Sequence, residues 1–594
     1  MGFKDNPIVF LTAKTWEYAK GNRKQFLLLV GLFLLANAIS LLEPLVVAKI
    51  LNTIQEQGIT QESLSTLLVS LFLFLAITIG FWIFHGPARV LEEKIAFLIK
   101  AQYKKYLIDG TMNLPLKWHS DHHSGDTIDK IEKGTNALYD YASEFSQVIE
   151  TLVLFIGSYI ALILFNVHAS YLVLFLVLVT GTVILKFDKH LVRQYRILFR
   201  TENKISAKVF DTLSNITTVI ILRVEDLLSK AIFMKVMRPY KLFVKNNKLN
   251  EWKWFTVSVF TSLMVISVLF SFIYFNSKTG QTILIGTVYA LYGYVDRIND
   301  LFFRFAFRYG HMVRRKARVK NAEEVAKEFK PKDGLDRKKL HSWKLLEVKN
   351  LDFSYHTKKG AQLHLQNINL SIAHGENIAF VGSSGSGKTT MLKVMRDLYH
   401  PKKAHVSLDG QVLPEGFRSI SHEITLIPQD PEIFSTTIKE NITLGVDYGL
   451  DHLKTYTDLA CFTDVVERLP KKFNSHINEK GVNLSGGERQ RLALARGLLA
   501  CDDKTIVLLD EPTSSVDSKN ELQIYQNIFN AFKGKTIISS IHRLHLLPLF
   551  DTIFFFKNGK IVARGNFNML LKTSKEFNEL WKKYHKSQKT KKSL

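Results

Sequence analysis

The chain has 594 residues, of which 46% are hydrophobic and 22% charged, with a formal net charge of +25 and two cysteines. That length is too great for one hydrophobic core and requires at least two domains. Cys461 and Cys501, far apart in the chain, supply neither a disulfide framework nor a zinc pattern and fit a reducing compartment. The basic excess leaves nucleic acid, anionic lipid and membrane topology as readings, and the position of the charge separates them.

In chain order, the stretch "NPIVFLTAKTWEYAKG" patterns as an amphipathic helix on a membrane surface. Six apolar stretches follow, beginning near Phe26, Leu64, Val148, Tyr171, Trp254 and Thr282. Each approaches the roughly 20 residues that a helix needs to cross a bilayer core. Runs such as "LLVSLFLFLAITIGFWIF" have no polar face to turn to water, which excludes an ordinary soluble helix. The first run is too long for a cleaved signal peptide and lacks a small-residue cleavage site.

Charge sets the orientation. Residues 51–82 contain no Lys or Arg, "NVHAS" (166–170) contains none, and "NSKTG" (276–280) has only Lys278. The connections from Arg89 to Glu144 and from Lys186 to Lys253 are long and basic. The positive-inside rule places these connections and both termini in the cytoplasm, which accounts for much of the basic excess without nucleic acid. Helical patterning continues from the spans into both connections, predicting projecting hairpins with breaks at "LPLKWHSDHHSGD" (114–126) and "SNITTVIILRVEDLLSK" (214–230). In the first tip, His119, His122 and His123 beside Asp121 and Asp126 are read as a solvated turn in preference to a metal site. The "NIT" sequon at 215 lies on the cytoplasmic side and is silent.

Glu43, next to Pro44, falls inside the first span, where a charge faces a cavity or a partner. In the sixth, Asp296, Asp300, Arg304 and Arg308 recur every four residues. This stripe is read first as i,i+4 ion pairs at the inner interface, and second as a polar lining of a substrate cavity. The domains expected are an N-terminal segment (1–24), a transmembrane domain (25–313), a linker (314–342), a soluble α/β domain (343–580) and a disordered basic tail (581–594).

In the soluble part, the apolar strand "NIAFVG" runs into "GSSGSGKTT" and then the helix "MLKVMRDLY". This is the strand–loop–helix context that a phosphate-binding loop requires. Gly382, Gly385 and Gly387, with Ser383, Ser384 and Ser386 between them, let backbone N–H groups crowd a phosphate. Lys388 neutralises the β/γ oxygens, Thr389 offers a hydroxyl to Mg²⁺, and Thr390 closes the motif. A second strand, "TIVLLDEP", ends in Asp510, placed to hold Mg²⁺, and Glu511, placed to poise a water. Strand alternation is expected to send these two carboxylates to opposite pleats. "LSGGERQR" (484–491) opens another helix and offers a second anion-binding start.

"GSSGSGKTT", "LSGGERQR" and "VLLDEPTSSVD", in that order, closely resemble the nucleotide-binding domain of an ABC ATPase. With six spans in front, the chain resembles a half-size ABC exporter of the type IV fold. The fold class expected is therefore a six-helix all-α transmembrane domain with long cytoplasmic extensions, joined to an α/β P-loop NTPase domain. The resemblance implies that Tyr355 stacks on adenine, that Gln429 reaches Mg²⁺ and the attacking water, and that His542 contacts the γ-phosphate. It makes Glu511 the base, with Lys388, Gln429 and His542 beside it. "SSVD", ending at Asp517, matches the loop that crosses to a partner chain. Ser485, Gly486 and Gly487 would cap ATP held by Lys388 of that other chain. Two departures stand out: Glu488 replaces the usual signature glutamine, and Asn478 replaces the usual glycine of a coupling loop that keeps Glu479 and Gly481.

The resemblance implies ATP and Mg²⁺ as cofactors, and a dimer with itself or a similar half. Its expected work is export of a hydrophobic or amphipathic substrate such as a lipid, drug or peptide, from a bacterial plasma membrane. An importer or ATP-gated regulator on the same fold is the alternative. A soluble ABC ATPase acting on nucleic acid is disfavoured by the spans.

Overall fold

The computed structural model describes residues 6–122, 124–279, 282–329, 343–357, 360–430, 432–477 and 484–592. The chain divides into two compact units, residues 1–114 with 122–330, and residues 115–121 with 331–594.

The first unit is helical. It contains α1 (Pro7–Tyr18), α2 (Arg23–Ser40), α3 (Glu43–Gln57) and α4 (Gln61–Met112); the tip helix α5 (Leu116–Asp121) groups with the second unit. It continues with α6 (Ser124–Ala142), α7 (Phe145–Phe165), α8 (Val167–Ser214), α9 (Ile216–Leu222), α10 (Glu225–Met237), α11 (Tyr240–Thr279) and α12 (Ile285–Ala326). Asn6 caps α1 by accepting from the Ile8 amide at 2.9 Å, and Thr60 with Ser63 forms a capping box that starts α4. At 52 residues, α4 is about 78 Å long at 1.5 Å per residue, more than a bilayer needs. It supplies the projecting arm expected from the basic connection. His123, part of the first tip, lies outside the described residues.

The first predicted span is broken in two, and Pro44 explains the break. Proline lacks the N–H that would bond the Ser40 carbonyl four residues back. Arg297 of α12 supplies that donor instead, with Nη1 at 3.0 Å from the Ser40 carbonyl. The Tyr294 hydroxyl donates to the Leu41 carbonyl at 3.0 Å, and Arg297 Nη2 pairs with Glu43 at 2.8 Å. The charge at Glu43 thus has a partner. A second break, at Ser143–Glu144 between α6 and α7, is held by the paired contacts of Arg315 with Glu144, each 2.8 Å, and by Arg89 Nη1 on the Ser143 carbonyl at 2.8 Å.

Among the described residues, five helical stretches are long and apolar enough to cross a membrane, Arg23–Gln57, Gln61–Met112, Ser124–Phe165, Val167–Tyr195 and Glu225–Lys278, and the pair Lys204–Ser214 and Ile216–Leu222, bent by 70°, makes a sixth if taken as one span. The sixth predicted span is a helix, α12, but it is not among them. Its apolar side, with Ala290, Leu291, Val295 and Ile298, is buried within the unit. Its other faces carry Asp296, Arg297, Asp300 and Arg304, which lipid would not tolerate unpaired. Arg304 pairs with Asp300 and with Glu150 of α7, each at 2.6 Å. The stripe is therefore an i,i+4 pair at that point only. Asp296 is exposed, and Arg308 has a buried Nη1 without a hydrogen bond among the described residues. Residues 314–326, expected as the start of the linker, continue α12; residues 330–342 lie outside the described residues.

The second unit contains two sheets. One is antiparallel, in the order β2 (Gly360–Ala373), β1 (Leu345–Thr357), β4 (Lys403–Leu408) and β5 (Gln411–Val412). The other has six strands: β10 (Lys560–Gly565), β9 (Thr552–Lys557), β3 (Asn377–Gly382), β8 (Thr536–Ile541), β7 (Ile506–Asp510) and β6 (Ile424–Ile427). All its pairings are parallel except that of β9 with β10 at the edge. β7 and β8 are buried along their whole length between two apolar clusters; the apolar run of β7 suits that setting, and β8 brings Thr536, Ser539 and Ser540 into it as well. The helices are α13 (Lys388–Met395), α14 (Ile438–Thr443), α15 (Leu450–Leu459), α16 (Thr463–Arg468), α17 (Gly486–Leu499), α18 (Ser518–Ala531), α19 (Phe567–Thr573) and α20 (Lys575–Lys592). The tail expected as disordered is instead helical to Lys592, because Phe577, Leu580, Trp581 and Tyr584 give α20 an apolar side packed on the domain core.

Candidate nucleotide site

Strand order assembles the site. β8 lies between β3 and β7, with β6 beyond β7, so four parallel strands end along one edge. Those ends carry Gly382, His542, Asp510 with Glu511, and Gln429, although the chain separates them by up to 160 residues. Ligands of open parallel sheets bind beyond the carboxyl ends of the strands.

The phosphate loop follows β3 and delivers Lys388 to the first position of α13. Gly387 has φ +109, and a Cβ there would lie 2.8 Å from Leu365, so only glycine fits. Lys388 Nζ donates to the Gly382 and Ser383 carbonyls at 2.9 and 3.2 Å, and so sits inside the loop. Burial holds its ammonium below the ordinary lysine range, against the pull of Glu511 and Asp510. An anion in the loop would restore what burial withdraws. Ser386 is buried with no hydrogen bond on Oγ among the described residues, while Ser383 and Ser384 are exposed.

The Thr389 hydroxyl donates to Asp510 Oδ1 at 2.9 Å. A hydroxyl and a carboxylate in contact beside the phosphate loop are the donor set that Mg²⁺ accepts, so these residues fit the ion. Asp510 is 3% exposed, and burial pushes its carboxyl above the ordinary range. The folded state therefore disfavours the charged form, and this cost is present once the pH exceeds the ordinary carboxylate value. Asp510→Asn is accordingly expected to raise the melting temperature of the nucleotide-free protein at neutral pH by roughly 2–4 °C, the response of a domain this size to about 1 kcal/mol. The same change should abolish Mg²⁺-dependent hydrolysis. An unchanged or lower melting temperature, read by differential scanning fluorimetry, would contradict the account.

Glu511 departs from the expected alternation. β7 ends at Asp510, and Glu511 takes a left-handed backbone with φ +48. That turn, not the pleat, aims its side chain, and strain at a non-glycine residue is found where function demands a particular direction. Its carboxylate meets His542 Nε2 at 2.7 Å and Gln429 Nε2 at 3.2 Å. Gln429, Glu511 and His542 thus form one cluster. Tyr355 is half-buried in an edge-to-face cluster with His364, Phe353 and Tyr399, at centroid distances of 4.7, 4.8 and 5.2 Å.

The "LSGG" segment opens α17. Ser485 is its N-cap, accepting from the Glu488 amide at 3.2 Å, while Glu488 Oε2 accepts from the Ser485 amide at 2.8 Å. Glutamate at position 488 therefore completes a capping box, a position that glutamate and glutamine can both fill. Hydrogen bonds from the Ser485 amide first, and then from the Arg468 guanidinium through Nη2 at 2.9 Å, hold the Glu488 carboxyl below its ordinary range. Gly487 is a close approach: a Cβ would lie 2.8 Å from the Ser515 carbonyl oxygen. Asp517 caps α18, accepting from the Lys519 and Asn520 amides at 3.2 and 3.0 Å. Asn478, Glu479 and Gly481 lie outside the described residues.

Sequence reading missed Gln490. Its Nε2 donates to the Gln429 carbonyl at 3.2 Å and to Ser514 Oγ at 2.7 Å, and its Oε1 accepts from the Ser515 amide at 2.7 Å. It ties three segments of the site together. Only its place inside "LSGGERQR" could have drawn notice, since a glutamine in a helix carries no pattern of its own.

The family model described as ABC transporter matches residues 365–514, and the one described as ABC transporter transmembrane region matches residues 26–294. The chain is 25% identical over 579 residues to the multidrug resistance-like ATP-binding protein MdlB of Buchnera aphidicola subsp. Schizaphis graminum, covering 96% of each. It is 27% identical over 499 residues to ATP-binding cassette sub-family B member 6 of Mus musculus, covering 80% of this chain and 56% of that protein. Relatives such as Mus musculus sub-family B member 5, at 36% identity over 239 residues, match 40% of this chain, which spans 19% of their length. The solved structure of a bacterial Atm1-family ABC exporter with ATP bound aligns with a TM-score of 0.81 over 94% of this chain and 99% of that one, at 20% identity, and shares its fold. With a transmembrane-region match and an ATPase match following one another along the same polypeptide, the chain belongs to the ABC transporters and has the half-size exporter order of one membrane region fused ahead of one ATPase domain.

Proposed function

We propose that the protein is one half of an ATP-driven exporter that works as a dimer. The observation that carries this reading is the Gln429–Glu511–His542 cluster beside Thr389 and Asp510, an intact set for hydrolysis. Lys388 and the loop amides bind the phosphates, and Thr389 and Asp510 would hold Mg²⁺, which would supply positive charge to offset that of the phosphates. Glu511 accepts a proton from water, and His542 and Gln429 orient that carboxylate. Binding energy from ATP favours a closed dimer over an open one, and that difference drives the membrane helices between states.

Both termini and the ATPase domain face the cytoplasm of a bacterial plasma membrane, in keeping with the charge distribution. The substrate is hydrophobic or amphipathic. The names of the relatives, a multidrug resistance-like protein among them, support this class without narrowing it. The test is ATPase activity in reconstituted vesicles against a panel of lipids, drugs and peptides. Stimulation with accumulation of one compound on the side opposite the ATPase domain is the expected result. Movement toward the ATPase side, or hydrolysis that no membrane compound alters, would overturn export.

A further inference from the structure

A polar chain runs from the C-terminal helix to the loop after β7. Its centre is Glu521 of α18, which is 3% exposed and has no part in the hydrolysis described above. One carboxylate oxygen accepts from the Thr513 hydroxyl at 2.7 Å, and the other from Arg543 Nη1 at 3.0 Å. Arg543 also donates to the Val516 and Ser514 carbonyls at 2.8 and 3.1 Å, and it directly follows His542. Glu521 thus holds the side chain that holds residues 514–516, and with them the segment that Gln490 joins to Gln429.

On its other side, Glu521 Oε2 lies 3.5 Å from His545 Nε2, a buried atom with no hydrogen bond among the described residues. His545 Nδ1 is 3.1 Å from the hydroxyl of Tyr584 on α20. If that hydroxyl donates to Nδ1, the neutral imidazole carries its proton on Nε2, aimed at the Glu521 carboxylate. A cavity of about 90 Å³ beside Glu521 and Arg543 is lined by Glu511 and His542 as well, so the polar chain borders the same space as the hydrolytic cluster. Tyr584 is held in turn by the packing of α20, with Trp581 edge-on to Phe567 at 4.8 Å.

We infer that Tyr584, His545 and Glu521 are positioning residues of the ATPase centre, through which α20 sets the placement of residues 513–517 and of His542. None of the three reaches the nucleotide loop, so their effect falls on turnover and not on ATP binding. Long-range coupling of this kind requires a contiguous network and a demonstration of coupling.

The inference rests on the hydrolytic reading, and the wild-type full-length protein, purified and reconstituted, is the control that separates the two. If wild type fails to hydrolyse ATP, the hydrolytic reading falls. If wild type is active, Tyr584→Phe is expected to lower kcat three- to tenfold with KM for ATP unchanged within twofold. His545→Leu should do the same, His545→Gln should recover most of the rate by keeping a donor and an acceptor, and Tyr584→Phe with His545→Leu should be no worse than the poorer single variant. A kcat unchanged in Tyr584→Phe would overturn the inference. So would losses that appear in KM, that multiply in the double variant, or that follow a drop in melting temperature shared by His545→Gln.

Discussion

Replacing Glu511 with glutamine is expected to cut ATP hydrolysis by roughly a hundred- to ten-thousand-fold, the usual contribution of a positioned general base. Binding should survive. The phosphate loop, Lys388 and the Thr389–Asp510 contact do not depend on the Glu511 charge for their placement. An amide of nearly the same shape can occupy the left-handed position that Glu511 holds at φ +48. What is lost is the proton acceptor and the carboxylate contact with His542 at 2.7 Å. The variant should therefore retain ATP in a stable closed form, measurable as bound radiolabelled nucleotide after rapid gel filtration. Turnover within a few-fold of wild type would refute the base assignment.

The second large effect concerns which chain completes which site. The N-terminus of α17 and the phosphate loop belong to one domain, and the dimer proposal has each serve a different ATP. Ser485→Arg places bulk and charge at an exposed N-cap, and Lys388→Ala removes the loop cation. In a covalently linked dimer, both changes in one half should damage both sites, whereas one change in each half should leave a complete site. If Ser485 served the phosphate loop of its own chain, the two results would exchange. Vanadate-trapped nucleotide per dimer distinguishes them, with near zero expected for the first arrangement and about half of wild type for the second.

Much of this protein was legible without coordinates. Apolar runs with no polar face can only be buried or lie in lipid, and a phosphate loop between a strand and a helix has few other uses. Lys388, Thr389 and Asp510 announced themselves because their chemistry depends on local spacing. Glu511 was legible as a residue but not in direction, because a single left-handed residue overrides strand alternation and has no marker in the sequence. Pro44 could be seen, yet not that Arg297, more than 250 residues later, would satisfy the carbonyl it leaves free. Charge at α12 read as a stripe, but the contacts formed depend on which neighbour each side chain meets: Arg297 meets Glu43, Arg304 meets Glu150, and Asp296 meets neither. The tail composition suggested disorder, until Trp581 and Tyr584 found a surface made by Phe567 and His545.

The division follows range. Sequence alone determined what depends on a residue's own chemistry and near neighbours: the long apolar runs, the phosphate loop, the helix start at Ser485 and the basic pattern of the connections. Only the tertiary structure decided the partners of Arg297, Gln490, Glu521 and Tyr584. Each of those contacts joins strands or helices far apart in the chain, and no local pattern encodes which of many polar side chains will meet once the sheet and bundle have formed.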